Sequence, residues 1–457
     1  MKIIIVGCGK VGYALCQQLN DEGHDITLID KNADRLQPVV DNLDIQVMTG
    51  NGTSFLVQQE AGIENTDLII AVTESDELNL LCCTVAKRVA GCAAIARVRT
   101  PDYSQDVSYL RERLGLAMIF NPELECAREA ARMLSLPTAL EIASFAHGQA
   151  VLVTFKIPKN NKLDGLKLWD MSKTIPADIE RSVVICAVER GDEVHIPSGN
   201  FQLQCGDEVS FVSTRKIARK FLRSIGFKTR QVRSTMIIGG GRSSYYLAQE
   251  LLAMGIEVKI IEKRRSRCEE LCELLPDANI INGDGTSEEL LREEGIEYAE
   301  SVVALTGIDE ENILLTLHAR NVSNAKVITK INRINFRNAI NTLDLGSVLY
   351  PRYITSEAIV AYVRAKHNSM NSNVETLNYI CENRVEAVEF RVNEASAVTG
   401  TMLKDLKPKM KKDILIASIN RNGRILIPSG VDTIEVRDTV MVVTTHSGFN
   451  DIRDILA

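Results

Sequence analysis

Through roughly the first 130 residues, short apolar runs alternate with stretches whose apolar positions recur at helical spacing. Lys2–Val6, Asp25–Ile29, Ile45–Met48, Leu68–Val72 and Ala94–Val98 read as strands. Between the first two, Gly12–Glu22 places Tyr13, Ala14, Cys16 and Leu19 on one helical face. Near-continuously apolar strands alternating with helices predict a parallel sheet covered on both faces. The pattern then changes. Val151–Ile157, Val183–Glu189 and Glu208–Ser213 are β-rich and are divided by turn residues such as Asn200 and Gly206-Asp207. They predict a small α+β lobe.

The whole pattern is written twice. Ile5-Val6-Gly7-Cys8-Gly9-Lys10 recurs as Ile237-Ile238-Gly239-Gly240-Gly241-Arg242, and Asp30 recurs as Glu262. Gly50-Asn51-Gly52-Thr53 returns as Gly283-Asp284-Gly285-Thr286, and Ala71-Val72-Thr73 with Asn79 returns as Ala304-Leu305-Thr306 with Asn312. His195-Ile196-Pro197-Ser198-Gly199 matches Leu426-Ile427-Pro428-Ser429-Gly430. A register that drifts by only a few residues across half the chain points to duplication, and a period this long excludes a solenoid. The expected fold is α/β: tandem doubly wound, Rossmann-like parallel-sheet lobes, each followed by a small α+β lobe. The lobes are expected over residues 1–134, 138–226, 233–352 and 370–457, joined at Ser135–Leu140, Phe227–Thr235 and a polar linker His367–Val374.

Gly7-Cys8-Gly9-Lys10-Val11-Gly12 is a full GxGxxG, directly after a strand and directly before a helix, the context a dinucleotide fingerprint requires. Its glycines permit a tight turn, close approach of a pyrophosphate and close helix packing. The helix N-terminus presents unpaired N–H groups to phosphates. Asp30, at the end of the second strand, is placed to accept ribose hydroxyls and repel a 2′-phosphate. NAD(H), or an adenine nucleotide such as ATP or ADP, is therefore expected over NADP(H). In the second half, Gly239-Gly240-Gly241-Arg242-Ser243-Ser244 has Ser244 in place of the third glycine, and Glu262 is followed by Lys263-Arg264-Arg265. Lys10 and Arg242 can reach a phosphate oxygen or stand solvated. Thr73-Glu74 and Thr306-Gly307 lie where the strand order of such a sheet reverses, and ligands bind outside that point. Arg97-Val98 and Lys330 end the fifth strands and could face the diphosphate or a neighbouring subunit.

Charge and composition narrow the classes. A net charge of −7 makes the chain a poor general binder of nucleic acid. One Trp, with aromatics at 5%, disfavours a base-stacking surface. Eleven cysteines without CxxC or regular spacing read as buried thiols of a reducing compartment, and no cluster has zinc-ligand spacing. No apolar run is long enough to span a bilayer, so a soluble, cytoplasmic protein is expected.

The Gly-rich lobe, the Gly-Asn/Asp-Gly-Thr segment, the Thr73…Asp76-Glu77-Leu78-Asn79 segment and the β-rich lobe that follows together resemble the RCK (KTN) regulatory domains of potassium channels and transporters. The resemblance covers nearly the whole chain. It implies adenine contacts at Asn51 and Asp284 that differ between halves. It also implies a homo-oligomeric ring, dimer or tetramer, docked on the inner face of the membrane through a Trk-type integral membrane potassium transporter subunit.

The alternative is an NAD-dependent oxidoreductase, which needs an acid or base with a carboxylate partner. His147 and His195 have Arg384 and Leu426 at the matched positions, and Asp207 and Asp438 read as turn residues. A regulator without catalytic residues is the expectation. Pro122–Leu134, with Leu124, Ala127, Ala131 and Leu134, and the stripe Ile359, Tyr362, Val363 are expected to pack on a neighbouring subunit or on their own lobe. Arg215 to Arg233 holds eight basic residues and no acidic one, read as a solvated helix or as a face for acidic channel loops or a membrane.

Overall fold

The computed structural model describes residues 1–101, 103, 107–227, 229–332, 343–367, 373–381 and 384–457. Strands β1 (Lys2–Val6), β2 (Asp25–Asp30), β3 (Gln46–Thr49), β4 (Leu68–Ala71), β5 (Ala93–Arg97) and β6 (Met118–Phe120) form one sheet in the order β3-β2-β1-β4-β5-β6. Every pairing in it is parallel. Ile3, Ile4 and Ile5 are all buried because helices cover both faces, which is why no alternation marks these strands. The second half repeats the sheet with Asn279–Asn282, Glu257–Glu262, Ser234–Ile238, Ser301–Ala304, Lys326–Lys330 and Ser347–Leu349 in the same order. The doubly wound order reverses between β1 and β4, opening a crevice at their carboxyl ends.

Each parallel sheet is followed by a five-stranded antiparallel one. The first contains Glu141–Phe145, Ala150–Lys156, Val183–Arg190, Glu193–His195 and Glu208–Thr214. The second contains Val374–Ile380, Val385–Arg391, Ile414–Arg421, Arg424–Leu426 and Thr439–Thr444. The two sheets share one apolar cluster, with Phe145, Leu152 and Cys186 against Ile380, Val385 and Met441. Arg384 pairs with Glu189 across this contact, and the Ala146 amide donates to Glu389 Oε1 at 2.9 Å.

The helices that leave the parallel sheets pack on the other half of the chain. Pro122–Ser135 is capped by Asn121, whose side chain accepts the Leu124 amide, and starts with proline at its first turn. Its Ala127, Ala130 and Ala131 face Tyr245, Leu247 and Ala248 of the second half's first helix, Arg242–Ala253. Small residues on one side let the two helices approach closely. Reciprocally, Ile359, Val360 and Val363 of Pro351–His367 pack on Leu15, Cys16 and Leu19 of the first half's helix Lys10–Asp21. The two halves therefore exchange helices within one chain, which answers the expectation of a neighbouring subunit or the same lobe with a third arrangement.

The join at Ser135–Leu140 is packed rather than loose: Leu136 and Ala139 are buried. Residues 368–372, in the expected polar linker, lie outside the described residues. Beside the first join, burial and then Glu129, Glu208 and Glu189 push the Glu141 carboxyl up to about 8. A raised carboxyl favours the folded state while neutral, and that advantage is lost as pH rises from the ordinary value to the raised one. Glu141→Gln should melt a few degrees above the native protein at about pH 9 and converge with it near about pH 4. Thermal denaturation at the two pH values checks this.

Candidate nucleotide-binding crevice

The chain leaves β1 through Gly7, whose φ of +109° suits glycine, and a Cβ there would lie 3.0 Å from the Thr73 amide nitrogen. Gly12 seats the following helix, since a Cβ at that position would fall 1.8 Å from the Gly7 carbonyl oxygen. Gly9 differs from both: a Cβ there would meet nothing within 4 Å, and its φ of −80° is ordinary. Its openness is toward the crevice. The helix Lys10–Asp21 begins at Gly9 with no side-chain cap, so its first-turn amides and the positive end of its dipole face outward.

Asp30 is buried and fixes this loop. Its Oδ2 accepts the Cys8 amide at 2.6 Å and its Oδ1 accepts the Asn32 amide at 2.8 Å. Each oxygen keeps a lone pair for a further donor. At the other wall, the Asn79 side chain accepts the Thr73 amide and donates to the Thr73 and Arg97 carbonyls, tying the ends of β4 and β5 together. Asn312 repeats this staple on Thr306 and the Lys330 carbonyl.

A cavity of about 1010 Å³ follows these edges. Gly7 to Val11, Asp30, Asn51, Thr73, Glu74 and Arg97, all expected at a nucleotide site, line it. Two predicted residues are elsewhere. Gly12 lies behind the loop as a packing residue, and Val98 is buried with its amide bonded to the Phe120 carbonyl. Two more change sides: Ser243 and Lys330, expected at the second half's crevice, line the first half's cavity together with Asn332 and Pro351. Lys330 Nζ donates to the Leu305 carbonyl at 3.1 Å, and burial lowers its pKa.

Arg35, Arg99 and Glu123 line the cavity without having been singled out in the sequence. Burial lowers the Arg97 guanidinium to about 10 and raises the Glu123 carboxyl. Nε of Arg97 and Oε2 of Glu123 have no hydrogen-bond partner, and Nε of Arg99 has only an ion pair with Asp76 Oδ1 at 3.7 Å. A buried donor without a partner is costly, and two guanidinium groups lining a cavity beside an open glycine loop suit an anionic ligand. Glu123 carried no sequence signal beyond an acid in a helix's first turn.

The second half builds the same frame and fills part of it with its own cations. Gly239 has a φ of +100°, and the Ser244 hydroxyl donates to its carbonyl at 2.5 Å. Glu262 accepts the Gly240 amide at 2.8 Å, but also the Arg264 amide and Nε. Arg267 Nε donates to the Gly240 carbonyl at 2.8 Å. Lys263 bonds Asp284 and holds its carboxyl down to about 2. Gly241 and Arg242 stay exposed at the loop tip, and Thr306-Gly307 follows the strand Ser301–Ala304.

Asp207 and Asp438 are buried, and each takes a two-pronged ion pair, from Arg190 and Arg421, besides a turn amide. Among the described residues, no group of three or more His, Cys, Asp or Glu could hold a metal ion. Among the same residues, no helix is long and apolar enough to cross a membrane.

Known proteins share both the repeat and the fold. The TrkA-N domain model matches residues 3–122 and 235–351, and the TrkA-C domain model matches 152–226 and 387–457. A Trk system potassium uptake protein TrkA homolog of Archaeoglobus fulgidus is 32% identical over 456 residues, covering 100% of both chains. The Trk system potassium uptake protein TrkA of Halomonas elongata is 30% identical, covering 100% of this chain and 98% of its own. In three dimensions the chain resembles the GsuK RCK domain with a TM-score of 0.63 at 18% identity, over 97% of this chain and 92% of that one. The GsuK channel bound to NAD gives a TM-score of 0.63 at 18% identity over 97% and 76%. GsuK bound to ADP gives 0.51 at 15% identity over 80% and 69%. These relatives are transport-system proteins, and the dehydrogenase alternative has no counterpart among them. With both domain models matched twice in the order of the repeat, and full-length relatives at this identity, the chain belongs to the family of TrkA-type Trk system potassium uptake proteins, with paired TrkA-N and TrkA-C domains.

Proposed function

We propose that this chain is the nucleotide-sensing subunit of a Trk-type potassium uptake system. NAD(H), or ADP or ATP, binds in the crevice between the Rossmann-like lobes and biases a cytoplasmic homo-oligomer that gates an integral membrane transporter. The lobes over 1–134, 138–226, 233–352 and 370–457 would then act as two sensing and two coupling units.

One observation carries this reading: the first half's glycine loop and residues of the second half line the same cavity. A ligand that touches both lobes binds one interlobe arrangement more tightly than another, and its leverage equals that difference in affinity. The open Gly9, the guanidinium groups of Arg97 and Arg99 at the cavity wall and the doubly bonded Asp30 suit a diphosphate-bearing adenosine. NAD and ADP are the ligands of the similarly folded GsuK structures. The second half's Glu262 and Asp284 are already paired with Arg264 and Lys263, so the first half is the stronger site.

The test is nucleotide-dependent potassium flux through the co-reconstituted transporter. Asp30→Ala removes the ribose acceptor and loosens the Cys8 amide. Hydrogen bonds to a charged group contribute roughly 1.5–3 kcal/mol, so NADH should bind about ten- to a hundredfold more weakly. The flux response should shift to higher nucleotide by the same factor. An unchanged response would remove the proposal.

A further inference from the structure

The first antiparallel lobe carries a run of cations of which its fold uses only two, Arg219 donating to the Ser135 carbonyl at 3.5 Å and Arg223 to the Thr229 hydroxyl at 3.3 Å. Helix Arg215–Ser224 buries Ala218, Phe221 and Leu222 in the lobe's core and exposes Arg215, Lys216, Arg219, Lys220 and Arg223. These cations fall four residues apart, Arg215 with Arg219, Lys216 with Lys220 and Arg219 with Arg223. Like charges at that spacing repel and destabilise a helix. Two of them stand in the first turn, which holds no acid and where the dipole favours acids. The arrangement therefore opposes helix stability everywhere but at Arg223, which stands in the last turn where the dipole favours a cation. The duplicate does not keep it, since the second half closes with the short helix Ile452–Ile455 and its acids Asp451 and Asp454.

A second feature lies in the same layer. The 3-10 helix Leu168–Lys173 and helix Arg215–Ser224 cover one face of this sheet and share one apolar cluster, through Met171 and Leu168 on one side and Ala218 and Phe221 on the other. The opposite face is taken by the other antiparallel lobe. From this outer layer projects Trp169, the single tryptophan of the chain, 62% exposed, with the Lys167 ammonium 5.6 Å from its ring centre. The acids of the layer are few: Asp170 pairs with Lys173, and Asp178 and Glu180 sit in the short helix Ala177–Glu180. At the matched position of the second half, against Gly430 as Trp169 lies against Gly199, stands Lys404.

We infer that this outer layer is a docking surface for an anionic phospholipid membrane. The cations meet the headgroups, and Trp169 enters the interface, where its ring suits a boundary between apolar and wet surroundings. An acidic polypeptide would satisfy the cations and leave the exposed indole without a role. The helix's apolar face is committed to the core, so the contact is electrostatic and reversible rather than an insertion. The surface is separate from the nucleotide crevice and does not depend on it.

Because Trp169 is the only tryptophan, its emission reports the contact directly. Full-length protein without nucleotide would be titrated with phosphatidylcholine vesicles containing phosphatidylglycerol. The expected result is a saturable blue shift, weakened by salt and absent with pure phosphatidylcholine. The double variant Lys216→Glu, Lys220→Glu changes two exposed residues, puts an acid in the helix's first turn and sets each new carboxylate three residues before an arginine, so it folds. Each cation near an anionic surface accounts for about fivefold in partitioning, so this variant should bind at least roughly thirtyfold more weakly. Trp169→Ala, followed by vesicle sedimentation, should bind severalfold more weakly. No shift, an equal shift with neutral vesicles, unchanged binding by the double variant, or binding of poly-glutamate but not of vesicles would each overturn the inference.

Discussion

Gly9→Asp should abolish nucleotide binding while leaving the fold as stable as before. Gly9 is the N-cap of helix Lys10–Asp21, a Cβ there meets nothing within 4 Å, and Asp is a favoured N-cap residue. The new carboxylate would stand where the open loop faces the crevice. Two like unit charges about 4 Å apart near a protein surface repel by about 4 kcal/mol, on the order of a thousandfold in affinity. Gly12→Val, three residues on, should do the reverse damage first. Its Cβ would lie 1.8 Å from a carbonyl oxygen, so backbone must move, and overpacking of this kind costs about 1–3 kcal/mol or more. A thermal melt and a binding titration on both variants separate the roles. The account requires binding lost without stability in the first, and stability lost in the second.

Arg364→Met should loosen the whole assembly. Arg364, on the returning helix Pro351–His367, is 4% exposed and donates with two nitrogens to Glu386 at 3.0 and 3.1 Å. It also donates to Glu22, which caps the end of helix Lys10–Asp21, at 2.6 and 2.9 Å and to the Tyr379 hydroxyl. One guanidinium thus joins the first lobe, the crossover helix and the last lobe. Removing it leaves Glu386 buried and Glu22 half-buried without their cation, a loss of about 3–5 kcal/mol. Burial opposes ionisation of Glu22, yet hydrogen bonds from His24 and Arg364 prevail and hold its carboxyl below the ordinary value. A depressed carboxyl contributes stability above its unfolded pKa, and that contribution fades as pH falls through its folded one. The variant should therefore lose stability at neutral pH and show a flatter acid branch. Hydrogen exchange at helix Lys10–Asp21, faster in the variant, checks where the loss occurs.

The glycine loop and Asp30 were legible because their constraint is local: a strand, a turn and a helix start within a few residues. The duplication made the strand ends legible too, including Asn79 and Asn312, though not the staple they form. The second wall of the cavity was not legible. Ser243, Lys330, Asn332 and Pro351 reach it only because Pro122–Ser135 and Pro351–His367 cross between halves. An apolar stripe such as Ile359, Tyr362 and Val363 declares that a face is buried, not what buries it. The short strands Glu141–Phe145 and Glu193–His195 carry too few residues for alternation to stand out. Arg264 and Lys263 were visible in the sequence, but only folding shows that they are spent on Glu262 and Asp284.

The central claim is that the crevice holds an adenine dinucleotide or nucleotide and does not transform it. Calorimetric titration of the full-length protein with NADH, NAD+, ADP and ATP tests this most directly, with NADH absorbance followed in the same sample. Saturable heat from at least one of them, lost in Gly9→Asp and accompanied by constant absorbance, is the predicted result. Silence from all four, or steady consumption of NADH, would contradict it.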